Sequence, residues 1–142
     1  MNEQSLIMIK PDGVNRGLVG EIIRRFENKS FKIIKIKMFQ FSTELAQEFY
    51  SVHKDKSFFP ELLEYITSGS VVAVVLSGDS AVDVIRKMIG ATNPMKAESG
   101  TIRGDYGLDL TQNIIHASDS SENFERESEI IFRCRHNSKP ND

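Results

Sequence analysis

The segment FKIIKIKMFQF, residues 31–41, decides between the two folds that the rest of the chain allows. Aliphatic side chains alternate with lysines along it: Ile34, Ile36 and Met38 against Lys35 and Lys37. This period of two predicts a half-buried strand, with the aliphatic side chains on one side. Parallel sheets in doubly wound folds bury both faces of their strands, so a strand with a lysine face favours an antiparallel sheet.

The patterns on either side of this segment complete the order of elements. Apolar periodicity, caps and turn residues predict strands over 5–10, 31–41, 70–78 and 113–117, and helices over 18–28, 43–50, 60–69, 80–90 and 120–132. Residues 11–17 are predicted to form a turn, and 91–112 an irregular segment. The order β-α-β-α-α-β-α-loop-β-α predicts an α+β, ferredoxin-like fold: a four-stranded antiparallel sheet of split β-α-β units with helices covering one face. A doubly wound parallel sheet is the alternative.

Composition sets limits on function. The chain has 142 residues, which predicts a single domain over 1–142 with a short polar tail at 133–142. A net charge of −2 provides no general attraction for nucleic acid. One cysteine, Cys134, allows neither an internal disulfide nor a zinc site. With no targeting signal, and with Val71–Leu76 as the longest apolar run, we expect a soluble, cytoplasmic protein.

Familiar phosphate-binding and hydrolytic motifs are missing from the sequence. It contains no GxxxxGK[ST], G-x-G-x-x-G, HExxH, CxxC or G-x-S-x-G. Cations and hydroxyls instead occur at the ends of predicted elements: Lys10, Arg86, Thr92 and Arg103. Each alone is explained by a solvated strand end, a surface ion pair or a local turn bond, and spacing does not establish that they converge.

The motif NIIHASDS, residues 113–120, carries the most informative histidine. A neutral imidazole is a competent nucleophile, provided that an acceptor orients its other nitrogen. Glu127 on the following helix is a candidate acceptor, and Ser118 could bridge the two. A strand-end His116 bonded to a backbone carbonyl explains the pattern equally well. His53 and His136 are predicted to be surface residues.

The aromatic pair Phe58-Phe59 precedes Pro60. A phenylalanine at the mouth of a pocket can stack on any nucleobase. Packing of one ring in the core and the other against the helix start is the alternative, and one ring can serve each purpose.

Several motifs together resemble those of the nucleoside diphosphate kinase family: MIKPDGVNRGLVGEI, FYSVHKDKSFFPELLEYITSG, GATNP, GTIRGDYG and NIIHASDS. The resemblance runs from about Leu6 to Phe132, and the last ten residues, RCRHNSKPND, lie outside it. It implies a ping-pong transfer in which His116 takes the γ-phosphate of a nucleoside triphosphate and passes it to a diphosphate. It also implies that Ser118 and Glu127 orient the catalytic ring.

The same resemblance implies a nucleotide site. Lys10 matches a residue that contacts phosphate and ribose, and Tyr50 one that supports the phosphate site. Phe58 matches the ring that stacks on the base, and Leu110 the aliphatic residue opposite. Phosphate contacts are implied for Arg86, Thr92 and Arg103. Asn113 matches the asparagine that contacts the sugar hydroxyl and the lysine.

Cofactor and partners follow from the family as well. Mg²⁺ is expected to bridge the β- and γ-phosphates, carried in by the nucleotide without a dedicated carboxylate cage. Nucleoside di- and triphosphates, ribo and deoxy, ATP and GTP among them, are the expected partners, and a homo-oligomer is expected, a hexamer ahead of a tetramer. Two positions depart from the family pattern: Ala117 where glycine is usual, and Ser70 where proline is usual.

Two other functions are compatible with this fold. A nucleotide sensor binds without turnover and needs no histidine nucleophile. RNA binding through an open sheet is disfavoured, because the charge balance is acidic and no strand is rich in aromatic residues.

Overall fold

The computed structural model describes residues 2–133 and contains a four-stranded antiparallel sheet in the order β2-β3-β1-β4. The strands are β1 (Asn2–Ile9), β2 (Lys32–Gln40), β3 (Ser70–Asp79) and β4 (Ile115–Ala117). The helices are α1 (Pro11–Asn15), α2 (Val19–Asn28), α3 (Thr43–Phe49), α4 (Phe59–Ile66), α5 (Ala81–Ile89), α6 (Ile102–Tyr106) and α7 (Ser121–Phe132). Within 2–133, no helix combines the length and apolar character needed to cross a membrane. The predicted fold class is confirmed.

Helices cover both faces of the sheet, so the expectation of helices on one face is wrong. On one face, β1 and β3 pack against α2 and α5 around Ile22, Phe26 and Ile85. On the other face, the same strands pack against α3, α4 and α7 around Phe49 and Ile130. The reason is visible in the continuous apolar runs of the two central strands, which bury successive side chains on opposite faces.

Strand β2 lies at the edge of the sheet and contains a bulge. Its pairing with β3 shifts between Ile33 and Lys35, so that Ile34 is the extra residue and the predicted alternation is broken there. Ile33 packs against the core. The predicted burial of Ile34, Ile36 and Met38 is wrong, since these side chains are 46%, 53% and 60% exposed. The edge of the sheet therefore presents an apolar surface.

Two segments that were predicted to be irregular contain helical turns. Residues 11–15 form α1. Pro11 is suited to a first helical turn, because the N–H that proline lacks has no acceptor within the helix there. The segment 91–112 holds a 3₁₀ turn at Pro94–Lys96 and the short helix α6. Thr101 caps α6 by accepting a hydrogen bond from the Gly104 N–H at 3.0 Å.

The helix that follows β3 begins differently from the prediction that Asp79 or Ser80 caps it. Ser80 has a left-handed φ of 50° and makes no cap hydrogen bond with its side chain. Glu3 of β1 serves instead: its Oε1 accepts from the Val82 N–H at 2.9 Å. Its Oε2 accepts from the Ser121 hydroxyl at 3.3 Å, at the start of α7. One carboxylate on β1 thus joins the first turns of both helices.

Candidate active site

His116 lies in the middle of β4, beside the central strand β1. Its Nε2 and the Oε1 of Glu127 are 3.0 Å apart, and the Ser118 hydroxyl donates to the same oxygen at 2.6 Å. Glu127 and Ser118 are both buried. Strand β4 supplies the ring, and α7, capped by Ser120, supplies the carboxylate that meets it. The predicted trio of His116, Ser118 and Glu127 is brought together.

The charge on Glu127 determines the proton position on this ring. Burial alone would raise the pKa of the carboxyl, but the hydrogen bonds from His116 and Ser118 outweigh it and hold the pKa below its usual value. An ionised carboxylate is only an acceptor, so Nε2 carries the proton of the neutral ring. Nδ1 then keeps a free electron pair, and no described residue forms a hydrogen bond with it. The contact with Glu127 therefore holds the ring in one orientation, with Nδ1 unbonded.

A strained turn precedes β4. Ile114 has φ 77°, and the Ile115 N–H donates to the carbonyl of Asn113 at 2.8 Å, which closes a three-residue γ-turn. A β-branched residue in this region costs roughly 1–3 kcal/mol and persists only where its surroundings hold it. Ile114 is fully buried. The turn reverses the direction of the backbone between Asn113 and His116.

Three cations are anchored on the backbone around His116. Arg103 donates to the carbonyls of Ile115 at 2.7 Å, Gly90 at 3.1 Å and Asn113 at 3.4 Å. Arg86 on α5 donates to the carbonyl of Ala117 at 3.2 Å. The backbone N–H of Lys10, just after β1, donates to the carbonyl of Ile114 at 2.8 Å. The cations that the sequence scatters therefore meet along residues 113–117.

The positive charges perturb one another. Burial, together with the charge of Arg103, lowers the pKa of Lys10 to about 8, against the opposing effect of the charge of Asp12. Burial, with the charge of Arg86, lowers the pKa of Arg103 to about 10. No carboxylate among residues 2–133 pairs with Arg103. A buried cation without a counter-ion favours binding of an anion.

Asn113 links the remaining predicted polar residues. Its Oδ1 accepts from the Lys10 ammonium at 2.8 Å. Its Nδ2 donates to the carbonyls of Thr92 and Leu110, both at 3.2 Å. Asn113 is buried, while Thr92 and Leu110 are exposed. The loop between α5 and β4 is thus tied to β1 at the edge of the site.

Two aromatic side chains, Phe49 and Tyr50, lie beside the ring of His116. The ring of Tyr50 lies 6.4 Å from that of His116, and the ring of Phe49 lies 5.5 Å away. The Tyr50 hydroxyl is buried without a hydrogen-bond partner in the described chain, and burial, together with the charge of Glu127, raises its pKa. His53 lies 5.7 Å from the exposed ring of Phe58 and 6.5 Å from Tyr50.

His53 corrects the prediction that it is a surface residue. Its ring is half-buried, and its Nδ1 has no partner within 2–133. Burial, and then the nearby charges of Lys56 and His116, lower its pKa. Proximity to His116 arises from the 3₁₀ turn Ser51–His53 after α3, which no motif in the sequence indicates. His136 and Cys134 lie outside the described residues.

Some of the predicted site residues are connected to one another in the structure, and others lie apart from them. Lys10, Arg86, Arg103, Asn113 and His116 form one connected group. Phe58 joins the site only through His53, and Leu110 only through its backbone carbonyl. Neither side chain forms a hydrogen bond or a ring contact with the connected group among the described residues. The two exposed side chains form the rim.

The side chains at the site are better suited to binding anions than to holding a metal ion directly. Within residues 2–133, no cluster of three or more His, Cys, Asp or Glu side chains could hold a metal ion. Glu127 is occupied by His116 and Ser118. The cations of Lys10, Arg86 and Arg103 suit the phosphates that would carry Mg²⁺ in, since cations bind anions and not metals.

Comparison with known proteins identifies the family. The family model described as "Nucleoside diphosphate kinase" matches residues 3–136. A nucleoside diphosphate kinase of Staphylothermus marinus is 54% identical over 131 residues, 92% of this chain and 93% of that protein. One of Hyperthermus butylicus is 56% identical over 130 residues, 92% of each chain.

Solved structures agree with the sequence matches. A nucleoside diphosphate kinase of Halobacterium salinarum in complex with CDP superposes with a TM-score of 0.90 at 45% identity, covering 94% of this chain and 90% of that one. One of Aquifex aeolicus superposes with a TM-score of 0.89 at 43% identity, covering 93% and 96%. The chain belongs to the nucleoside diphosphate kinase family.

Proposed function

We propose that this kinase of nucleoside diphosphates transfers the γ-phosphate of a nucleoside triphosphate in two steps, through a phosphohistidine at His116. Family membership supports phosphorylation of diphosphates by triphosphates, and the proposal concerns the route. The observation that carries it is the hydrogen bond between Nε2 and Glu127, which leaves Nδ1 unbonded. Three cations, those of Lys10, Arg86 and Arg103, bond to residues 113–117 in the same segment.

The steps balance as two displacements at phosphorus. Nδ1 of His116 forms a bond to the γ-phosphorus while the bond to the β–γ bridging oxygen breaks, and the diphosphate leaves with that electron pair. A terminal oxygen of a second diphosphate then attacks the phosphorus, and the P–N bond breaks to return its electron pair to Nδ1. Nε2 keeps its proton throughout, and the Glu127 carboxylate stabilises the positive charge that develops on the phosphorylated ring.

Positioning and charge account for most of the catalysis of phosphoryl transfer. Lys10, Arg86 and Arg103 provide positive charge around Nδ1, with the Thr92 hydroxyl and the unpartnered Tyr50 hydroxyl as further groups for phosphate oxygens. Mg²⁺, carried in by the nucleotide, would neutralise negative charge on the phosphates.

Tolerance of all bases is part of the proposal. Phe58 is 47% exposed and Leu110 is 63% exposed, so each offers an apolar surface at the rim. Stacking on a ring does not distinguish purines from pyrimidines, because every base has a π-face. We also propose that Asn113 and Lys10, which are bonded to each other at 2.8 Å, contact the sugar, and that both ribo- and deoxynucleotides are substrates.

We also propose that the protein is a homo-oligomer, with a hexamer favoured over a tetramer. Among residues 2–133, edge strand β2 pairs with β3 alone, and it exposes Ile36 and Met38. Exposed apolar edges of this kind are usually covered. Light scattering measures the assembly, and a monomeric mass would refute it.

The proposed compartment is the cytoplasm, and the proposed functional unit is one domain over 1–142.

Phosphoenzyme formation tests the function. Protein incubated with γ-labelled ATP and Mg²⁺, without diphosphate, is expected to acquire an acid-labile, base-stable label that GDP or CDP removes as labelled triphosphate. His116→Ala should abolish the label, while the matched His136→Ala should retain it. Labelled His116→Ala would refute the nucleophile. Saturable binding of nucleotide with no label would favour a sensor, and salt-dependent binding of RNA would favour the RNA-binding alternative.

A further inference from the structure

The strained turn at Ile114 is held from the segment that follows β1. The Ile114 N–H donates to Oδ2 of Asp12 at 3.2 Å. The carbonyl of the same residue accepts from the Lys10 N–H at 2.8 Å. The N–H and the carbonyl of Ile114, the residue with φ 77°, are therefore both bonded to residues 102 or more positions away in sequence. Neither group is bonded to its own strand.

The second oxygen of Asp12 is also occupied. The Tyr65 hydroxyl donates to its Oδ1, and the Asp12 N–H donates to the Tyr65 oxygen at 3.2 Å. Tyr65 belongs to α4, the helix that begins immediately after Phe58. Asp12 is only 9% exposed, so both its oxygens face protein and not the open site.

Gly13 allows this close approach. A Cβ at position 13 would lie 3.2 Å from both Cγ2 and the carbonyl oxygen of Ile114, and 2.8 Å from Cγ2 of Ile9. The backbone of α1 therefore packs directly on the turn. The sequence does not indicate this contact, since Asp12 and Gly13 lie in a segment that is predicted to be a turn.

We propose that Asp12, supported by Tyr65, is a positioning residue that holds the Ile114 turn and so sets Asn113 and His116 against the same nucleotide. This inference rests on the proposed phosphohistidine route. Asn113 reaches Lys10 on one side of the turn, and His116 reaches Glu127 on the other. Release of the turn changes the distance between the nucleotide contacts and Nδ1, while the histidine–glutamate pair remains.

Two substitutions separate the hydrogen bond of Asp12 from its charge. Asp12→Ala removes the acceptor for the Ile114 N–H. Asp12→Asn keeps that acceptor, because its Oδ1 can face Ile114 while the Tyr65 hydroxyl rotates to accept from the amide. The charge of Asp12 also raises the pKa of Lys10, and Asn removes this effect as fully as Ala does. A role through charge alone therefore makes the two variants equal.

The assay is single-turnover phosphorylation at saturating Mg–ATP. We expect Asp12→Ala to slow it about 100-fold, the size of effect that a misplacement near 1 Å produces. Asp12→Asn should recover most of this loss, and Tyr65→Phe should slow the step about threefold to tenfold. Asp83→Ala, at an exposed aspartate of α5, is the matched control and should stay within about twofold.

Phosphoramidate provides the readout that separates positioning from general damage. This small donor needs no nucleotide contacts, so its phosphorylation of His116 reports on the ring alone. We expect Asp12→Ala to keep about the wild-type rate with phosphoramidate. An equal loss with both donors, or equal rates for the Ala and Asn variants, would overturn the proposal.

Failure of the inference and failure of the function give different results. If the wild-type protein accepts phosphate from phosphoramidate but not from ATP, the proposed function fails. If the wild-type protein is labelled by ATP and Asp12→Ala is labelled equally fast, only the positioning role fails. Should Asp12→Ala not fold, Tyr65→Phe labelled by ATP at the wild-type rate would overturn the proposal.

Discussion

The depressed pKa of Lys10 predicts that nucleotide binding takes up a proton. Burial and the charge of Arg103 lower this pKa to about 8 in the free protein. A bound polyphosphate places negative charge beside the ammonium and raises the pKa again. Because the bound form holds the proton more tightly, affinity must fall as the pH rises through the free value.

The magnitude follows from the pKa. At about pH 7 nearly all of Lys10 is charged, whereas at about pH 9 a group with a pKa near 8 is charged in roughly one molecule in eleven. The dissociation constant for a nucleoside diphosphate should therefore increase up to about tenfold across this range, or about 1.4 kcal/mol. The phosphates of the nucleotide are largely ionised throughout this pH range, because their second pKa is about 6.

Calorimetry in buffers of different ionisation enthalpy measures the proton uptake directly. We expect about half a proton per nucleotide at about pH 8 and nearly one at about pH 9. Lys10→Met is the control, since it keeps every other titrating group and should bind weakly with no such uptake. Equal uptake by the variant and the wild type, or constant affinity between about pH 7 and about pH 9, would refute the reasoning.

Three further predictions test other parts of the site. Glu127→Gln should slow phosphorylation of the histidine about 10–100-fold and leave the dissociation constant for nucleotide within about twofold, because the carboxylate orients the ring; equal loss of rate and binding in rapid-quench and calorimetric measurements would make Glu127 structural. Phe58→Ala should weaken ADP, GDP and CDP alike by about 1–3 kcal/mol in titration calorimetry, and loss confined to one base would contradict stacking. Gly13→Ala should lower the free energy of unfolding by about 1–3 kcal/mol in urea, because the new Cβ would lie 2.8 Å from Ile9; an unchanged midpoint would show that α1 shifts freely.

The sequence predicts the sheet well where side-chain periodicity is undisturbed. The run over 70–78 predicts a central strand, and β3 does pair with both β1 and β2. Segment 31–41 is harder, because a bulge at Ile34 changes the register without any mark in the pattern. The antiparallel sheet was predicted correctly, although the central strands are covered on both faces, which periodicity in β2 alone does not reveal.

The site is less predictable from sequence because it depends on contacts between distant residues. The short spacing of His116, Ser118 and Glu127 made their meeting a testable hypothesis, which their geometry bears out. Arg103 could not be placed in the same way, since it binds carbonyls on an element whose position follows only from strand order. The φ of Ile114 leaves no trace in sequence, since a glycine would ordinarily mark such a position.

The separation of these contacts along the chain has a consequence for synthesis of the protein. Lys10 and Asn113 are 103 positions apart, and Glu3 and Ser121 are 118 apart. A nascent chain therefore contains Lys10 long before Asn113, His116 or Glu127 is synthesised. Until β4 has left the ribosome, the edge of β1 that pairs with it stays open and is available to other chains. If His116 and Glu127 act as proposed, we expect a product that stops before α7 to be inactive.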